Sequence, residues 1–187
     1  MSATARELWL LAFYRNSELH GALLMGRLAR AYSDPVLAAN LTRHCATEAR
    51  HAAMLTEALA ALGSAIDLET GTIQSHYGEA GGIPTELADL LVLSEILEKR
   101  VLASYRAHLQ RDDVSTVARR TLEAIVTEME EEEDGNDPHA GWIDRALDGL
   151  PPQAVAAAKE RWRRVDADVA AALMRLLDER FTEAGDR

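Results

Sequence analysis

Residues 64–84 read SAIDLETGTIQSHYGEAGGIP, and the reading of this stretch decides the fold. It carries four glycines, ends on a proline and shows no sustained apolar period. At about twenty residues it is far longer than two adjacent antiparallel helices need. It is long enough to run the length of a helical bundle and restart the chain at the other end. On its N-terminal side, residues 5–32 read as one long helix, with Leu8, Leu11, Glu18, Ala22, Met25 and Leu28 along one stripe. Ser33-Asp34-Pro35 ends that helix, because Asp34 suits an N-cap and Pro35 suits the first turn of a new helix. The second helix runs to Leu62, turns Leu37, Leu41, Cys45, Glu48, His51 and Leu55 inward, and meets a terminator in Gly63.

Beyond the crossover, a third helix from Thr85 to Gln110 carries Leu87, Leu91, Ser94, Glu98, Val101 and Tyr105 on one face. Arg111-Asp112-Asp113 makes a short corner. The fourth helix has the stripe Leu122, Ile125, Val126, Met129 and Glu132, and Gly135-Asn136-Asp137-Pro138 breaks or kinks it. A short helical piece over 139–147 and a long last helix over 153–183 follow. The expected fold is all-α: a single domain over 1–187, with a four-helix bundle and one long crossover in 1–148 and an additional C-terminal helix in 151–183.

The 187 residues hold 31 acids against 20 bases, a net charge of −11 that disfavours a broad polyanion-binding face. Six of the acids crowd into positions 128–134. The single cysteine, Cys45, leaves no internal disulfide and points to a reducing compartment. The N-terminal apolar run is short, is followed soon by acids and lacks a cleavage pattern, so a cytoplasmic protein with no membrane partner is expected. No phosphate-cradling glycine loop, Cys-x-x-Cys pair or nucleophile elbow is present, which sets those enzyme classes aside.

The informative residues are charged ones in apolar positions. A buried stripe should be apolar, because an ionised carboxylate in a dry core is costly unless it is paired or bound to a cation. Yet Glu18, Glu48 and Glu98 interrupt the stripes of the first three long helices near their middles, and His51 follows Glu48 at i+3 on the same face. Carboxylate oxygens and a neutral imidazole converging in a bundle core suit iron or manganese. Tyr14 and Tyr105 fall one and two turns from Glu18 and Glu98, and His44 one turn before Glu48, as candidates to support those ligands.

Ser17-Glu18-Leu19, Glu48-Ala49-Arg50-His51 and Glu98-Lys99-Arg100, in this order of helices, resemble the ferritin-like superfamily of di-iron carboxylate proteins, over about 7–147. The resemblance implies Glu18 as a terminal ligand, Glu48 as a bridging ligand with His51 beside it, and Glu98 as the terminal ligand of a second metal. Glu95, one turn earlier, has poorer stripe partners. The family repeats Glu-x-x-His on its fourth helix, and this chain has no such pair there. Glu132 is the inward carboxylate by core phase, with Glu128 and Glu131 as neighbours, and His139, seven residues on, is the candidate for the family's histidine displaced by an insertion, so that both join the candidate metal ligands. The implied cofactor is two irons, or one if the fourth helix fails to complete the second position, with manganese as the alternative metal.

Such a site reacts with O₂, so the expectation is an oxidase or hydroxylase of a small organic substrate or a modified nucleoside. The alternative is a non-enzymatic iron-binding or metal-lost scaffold. The crossover, with His76 and Tyr77, is a candidate lid, and the extra helix a candidate pocket cover or homodimer interface. Nucleic acid is disfavoured except for transfer RNA, whose one supporting feature is the basic segment Lys159 to Arg164 around Trp162.

Overall fold

The computed structural model describes residues 3–133 and 141–182. Among them every regular element is helical: α1 (Ala5–Ala31), α2 (Pro35–Ala61), a 3₁₀ turn (Leu68–Thr70), α3 (Ile73–Gly81), α4 (Leu87–Leu109), α5 (Thr116–Glu133), α6 (Trp142–Asp148) and α7 (Pro152–Thr182). The local chemistry accounts for the boundaries. Thr4 caps α1 by accepting from Glu7 N at 3.1 Å, and Asp34 caps α2 by accepting from Leu37 N at 2.7 Å with Pro35 in the first turn. Gly63 leaves α2 at φ +70°, a conformation that favours glycine.

One hydrophobic core draws on α1, α2, α4, α5 and α7, with Leu11, Leu55, Leu91, Leu122 and Trp162 among its most enclosed members. The stripes read from the sequence supply its centre. Leu11, Ala22, Met25, Leu41, Leu55, Leu91, Leu122, Ile125, Val126 and Met129 are all buried. Buried Glu7 reaches from the start of α1 to accept from Ser115 N at 2.9 Å, so a carboxylate on one helix caps the first turn of another. No described helix is long and apolar enough to cross a membrane.

The crossover differs from the aperiodic connection expected. It folds into the 3₁₀ turn and α3, the latter closed by a capping box between Thr72 and Ser75. Nine residues of helix are too short to show a convincing period, which is why the pattern hid it. The segment is tied to α1 rather than swinging over it. Asn16 Nδ2 donates to Asp67 O at 3.0 Å and to Thr70 Oγ1 at 2.8 Å, while Ile73 N donates to Ser17 Oγ at 2.9 Å.

The last helix packs along α4 and α3. Buried Trp162 donates from Nε1 to Asp89 at 2.7 Å, and Arg161 donates to Gly81 O at 2.7 Å. Asp166 receives a bidentate Arg100 and the Tyr77 hydroxyl. Tyr77 therefore anchors the crossover to α7 instead of lining a lid. The basic segment is likewise engaged in packing: its tryptophan is in the core, Arg161 holds α3, and Arg164 pairs with Glu160 at 2.7 Å.

Two glycines of α3 should respond oppositely to alanine. A Cβ added at Gly81 meets Trp162 at 2.7 Å and Val165 at 3.0 Å, whereas one added at Gly78 meets nothing within 4 Å. Gly81→Ala is expected to destabilise by about 1–3 kcal/mol through overpacking. Gly78→Ala is expected to stabilise by up to about 1 kcal/mol through helix propensity. Denaturant midpoints measure both, and a Gly81→Ala variant as stable as the parent contradicts this account of the α3–α7 contact.

Candidate metal centre

Three helices bring five donor side chains to one small cavity of about 30 Å³, lined by Glu18, His44, Glu48, His51 and Glu98 together with Gln74 of α3. Each side chain arrives by ordinary helical geometry. His44, Glu48 and His51 are spaced i, i+4 and i+7 on α2 and so share a face. Glu18 sits at the middle of α1 and Glu98 at the middle of α4.

On one side of the cavity His44 Nε2 lies 2.9 Å from Glu98 Oε1 and 3.4 Å from Glu48 Oε1. These three side chains present ligand atoms close enough together to hold one metal ion. His44 Nε2 and Glu48 Oε2 are buried, yet neither is aligned with a hydrogen-bond partner. Orphaned buried polar atoms are rare in native proteins, and a bound cation is a direct way to satisfy them. Glu98 keeps 33% of its side chain accessible, facing the cavity.

On the other side, His51 is only 3% exposed and stands between two carboxylates. Its Nδ1 is 3.5 Å from Glu18 Oε2 and its Nε2 is 3.1 Å from Glu128 Oε2. Arg50 holds Glu128 in place at 2.7 Å. A Glu128 carboxylate so pinned favours the tautomer with the proton on Nε2, which leaves the Nδ1 lone pair on the side of Glu18. Glu18 itself accepts from the Tyr105 hydroxyl at Oε1. Burial and the neighbouring Glu18 charge push the Tyr105 pKa well up, so the phenol stays protonated and donates. Tyr14 packs its ring on that of Tyr105 at a centroid distance of 4.7 Å.

The acids and imidazoles of the cluster shift one another's protonation. Burial pushes Glu48 up to about 7, against the pull of His44. Burial disfavours charge on His44 too, but Glu98 and Glu48 outweigh it and raise its pKa well above the usual value. For Glu98 the desolvation cost is overcome by His44, and its pKa is lowered. His51 is raised likewise, its burial offset by Glu18 and Glu128.

The sequence-derived residues Glu18, Glu48, His51 and Glu98 thus lie together. His44, expected only to support a ligand, faces the cavity beside Glu48 and Glu98. Glu128, expected as a neighbour of Glu132, is an α5 carboxylate that touches the site, reaching His51. Glu131 is exposed. Glu132 lies in the last turn of α5 with its side chain outside the described residues, and His139 is outside them altogether.

Gly21 was missed by the sequence reading, although a glycine in the middle of a 27-residue helix is itself a signal. A Cβ there would stand 2.5 Å from Glu48 Oε2 and 2.6 Å from its Oε1. The missing side chain is the space that lets the Glu48 carboxylate lie against α1. Gln74 was missed as well. It donates from Nε2 to Ser17 O at 3.0 Å and leaves its buried Oε1 without a hydrogen-bond partner beside the cavity.

No known family model, characterised protein or solved structure matches the chain, so the functional reading rests on this site's own chemistry.

Gly21→Ala is expected to raise helix propensity in α1 by up to about 1 kcal/mol while displacing the Glu48 carboxylate. The melting temperature should hold or rise because the carboxylate end of Glu48 can swing aside, and a loss as large as that of Gly81→Ala contradicts this account. A second expectation concerns pH. The folded-state pKa of Glu48 lies above its unfolded value, so its bound proton favours folding. That contribution is fully present below about pH 4.5 and lost as pH rises through about 7. Glu48→Gln removes the loss and should stabilise metal-free protein by about 1–3 kcal/mol at pH 8, with little effect at pH 5. An equal effect at both pH values, read from denaturant midpoints, contradicts it.

Proposed function

We propose that the chain is a ferritin-like di-iron carboxylate protein that uses O₂ to oxidise or hydroxylate a small organic substrate. The observation that carries this reading is the convergence of His44, Glu48 and Glu98, whose ligand atoms lie close enough together for one metal ion, beside a further carboxylate, Glu18, and a second imidazole, His51. Neutral imidazole with carboxylate oxygen is a donor set for iron, with manganese as the alternative. The arrangement of α1, α2, α4 and α5, with the crossover between the second and third of these, supports the ferritin-like reading of the fold.

The residues would divide the work. His44, Glu48 and Glu98 would hold one cation, and Glu18 and His51 would be the donors for another. On this reading His44 takes the place of the histidine that the fourth helix lacks. Glu128 and Arg50 fix the tautomer of His51, and Tyr105 fixes the Glu18 carboxylate. Iron held there supplies one-electron reactivity towards dioxygen. Leu97, Val101 and Met129 are the apolar neighbours of the cluster.

Iron analysis of protein expressed with added iron tests the reading, with Glu48→Ala beside it. Two irons per chain are expected, falling below one in the variant, together with an absorption band that appears only after O₂ is admitted to the reduced protein. One iron per chain confines the site to a single position. Near-zero iron under both reducing and oxidising conditions refutes the reading, and iron without the O₂-dependent band leaves a passive iron-binding protein. Glu128→Ala should weaken iron binding about 10–100-fold by freeing His51.

A further inference from the structure

A larger cavity, of about 260 Å³, opens directly beside the metal cluster and shares His44, Glu48, Gln74, Leu97 and Glu98 with it. Its walls are hydrocarbon: Leu24 and Met25 from α1, Leu90, Leu93 and Leu97 from α4, and Ile83 from the segment after α3. The one hydroxyl in the wall, Ser94, is already spent on Leu90 O at 2.9 Å and asks nothing of a ligand. Gly21, Gly78 and Gly82 leave the remaining wall without side chains. Away from the cluster no acidic residue is among the described lining residues, and the two ionisable groups are His20 and Arg27.

Arg27 sets the polarity of the occupant. Its guanidinium is exposed, and among the described residues no carboxylate pairs with it. A planar fork of donors at the edge of an apolar cavity matches a carboxylate, which it binds through two parallel hydrogen bonds. Gly21 touches the Glu48 carboxylate end of the cavity, and Arg27 lies six residues further along α1, a rise of about 9 Å. That length and the volume together suit a body on the order of ten heavy atoms, below the size of most drug-like ligands.

We propose that this cavity binds a monocarboxylic acid with an apolar body of about eight carbons. The carboxylate rests on Arg27, and the hydrocarbon end is presented to the His44–Glu48–Glu98 cluster. Its role as the substrate pocket rests on the metal-centre reading above, but the binding itself does not require the metal. The crossover builds the wall and is fixed to α1 through Asn16 and Ser17, so the cavity is part of the folded frame.

Calorimetric titration of the full chain, metal-free and iron-loaded, with octanoate, 1-octanol and octylamine tests the proposal. One octanoate per chain is expected in both forms, at least tenfold tighter than either comparison compound. Arg27→Leu should weaken octanoate at least tenfold and leave 1-octanol within twofold. Gly78→Phe, placed where an added Cβ meets nothing within 4 Å, should abolish binding while circular dichroism shows the fold intact. Absence of saturable octanoate binding, equal affinity for 1-octanol, tighter octylamine, or indifference to Arg27→Leu each overturns it. Iron content of the same samples separates the two claims. Octanoate binding without iron removes the metal reading alone, and iron without octanoate binding removes this one alone.

Discussion

Three carboxylates and two imidazoles inside one helical core must be neutralised by something, and most of what is distinctive in this molecule follows from that constraint. The metal-free chain manages it by sharing protons. Glu98 stays ionised beside a His44 that holds its proton, and burial keeps the proton on Glu48 up to about 7. The arrangement is a compromise, because Glu48 Oε2 is still left without a hydrogen-bond partner. A divalent cation would satisfy that atom and take the place of the protons. Above about 7 the ionised Glu48 therefore costs the metal-free chain stability.

The surrounding structure holds these donors in place. Gly21 leaves room for Glu48, Tyr105 fixes Glu18, and Arg50 fixes the Glu128 that orients His51. Asn16 and Ser17, neighbours of Glu18 on the same helix, pin the crossover that carries Gln74 to the cavity. The clamp of α7 on α3 and α4, through Trp162, Arg161 and Asp166, holds the far side of that segment. The extra helix is thus a brace for the cavity wall.

Much of this was legible in the sequence because long helices write their burial as a period. The stripes of α1, α2, α4 and α5 supplied the core and brought Glu18, Glu48, His51 and Glu98 into one place. What stayed hidden was what periodicity does not encode. Helix α3 is too short to show a period. Gly21 marks an approach between two helices, and only their packing reveals it. His44 and Cys45 are adjacent on α2, and a stripe drawn through Cys45 steered His44 into a supporting role. In the structure the imidazole reaches Glu98 across the helix interface at 2.9 Å. On α5, a cross-helix Arg50 draws Glu128 to His51, a contact that core phase does not encode. Long, flexible side chains reach beyond the stripe their Cα atoms belong to.

The central claim of the proposed function is that His44 serves as a metal ligand together with Glu48 and Glu98. Anomalous diffraction at the iron edge from crystals of iron-loaded protein tests it most directly. The account predicts a peak bonded to His44 Nε2, Glu98 and Glu48, with a second beside His51 Nδ1 and Glu18. An iron peak away from His44, with its imidazole paired only to Glu98, would contradict it.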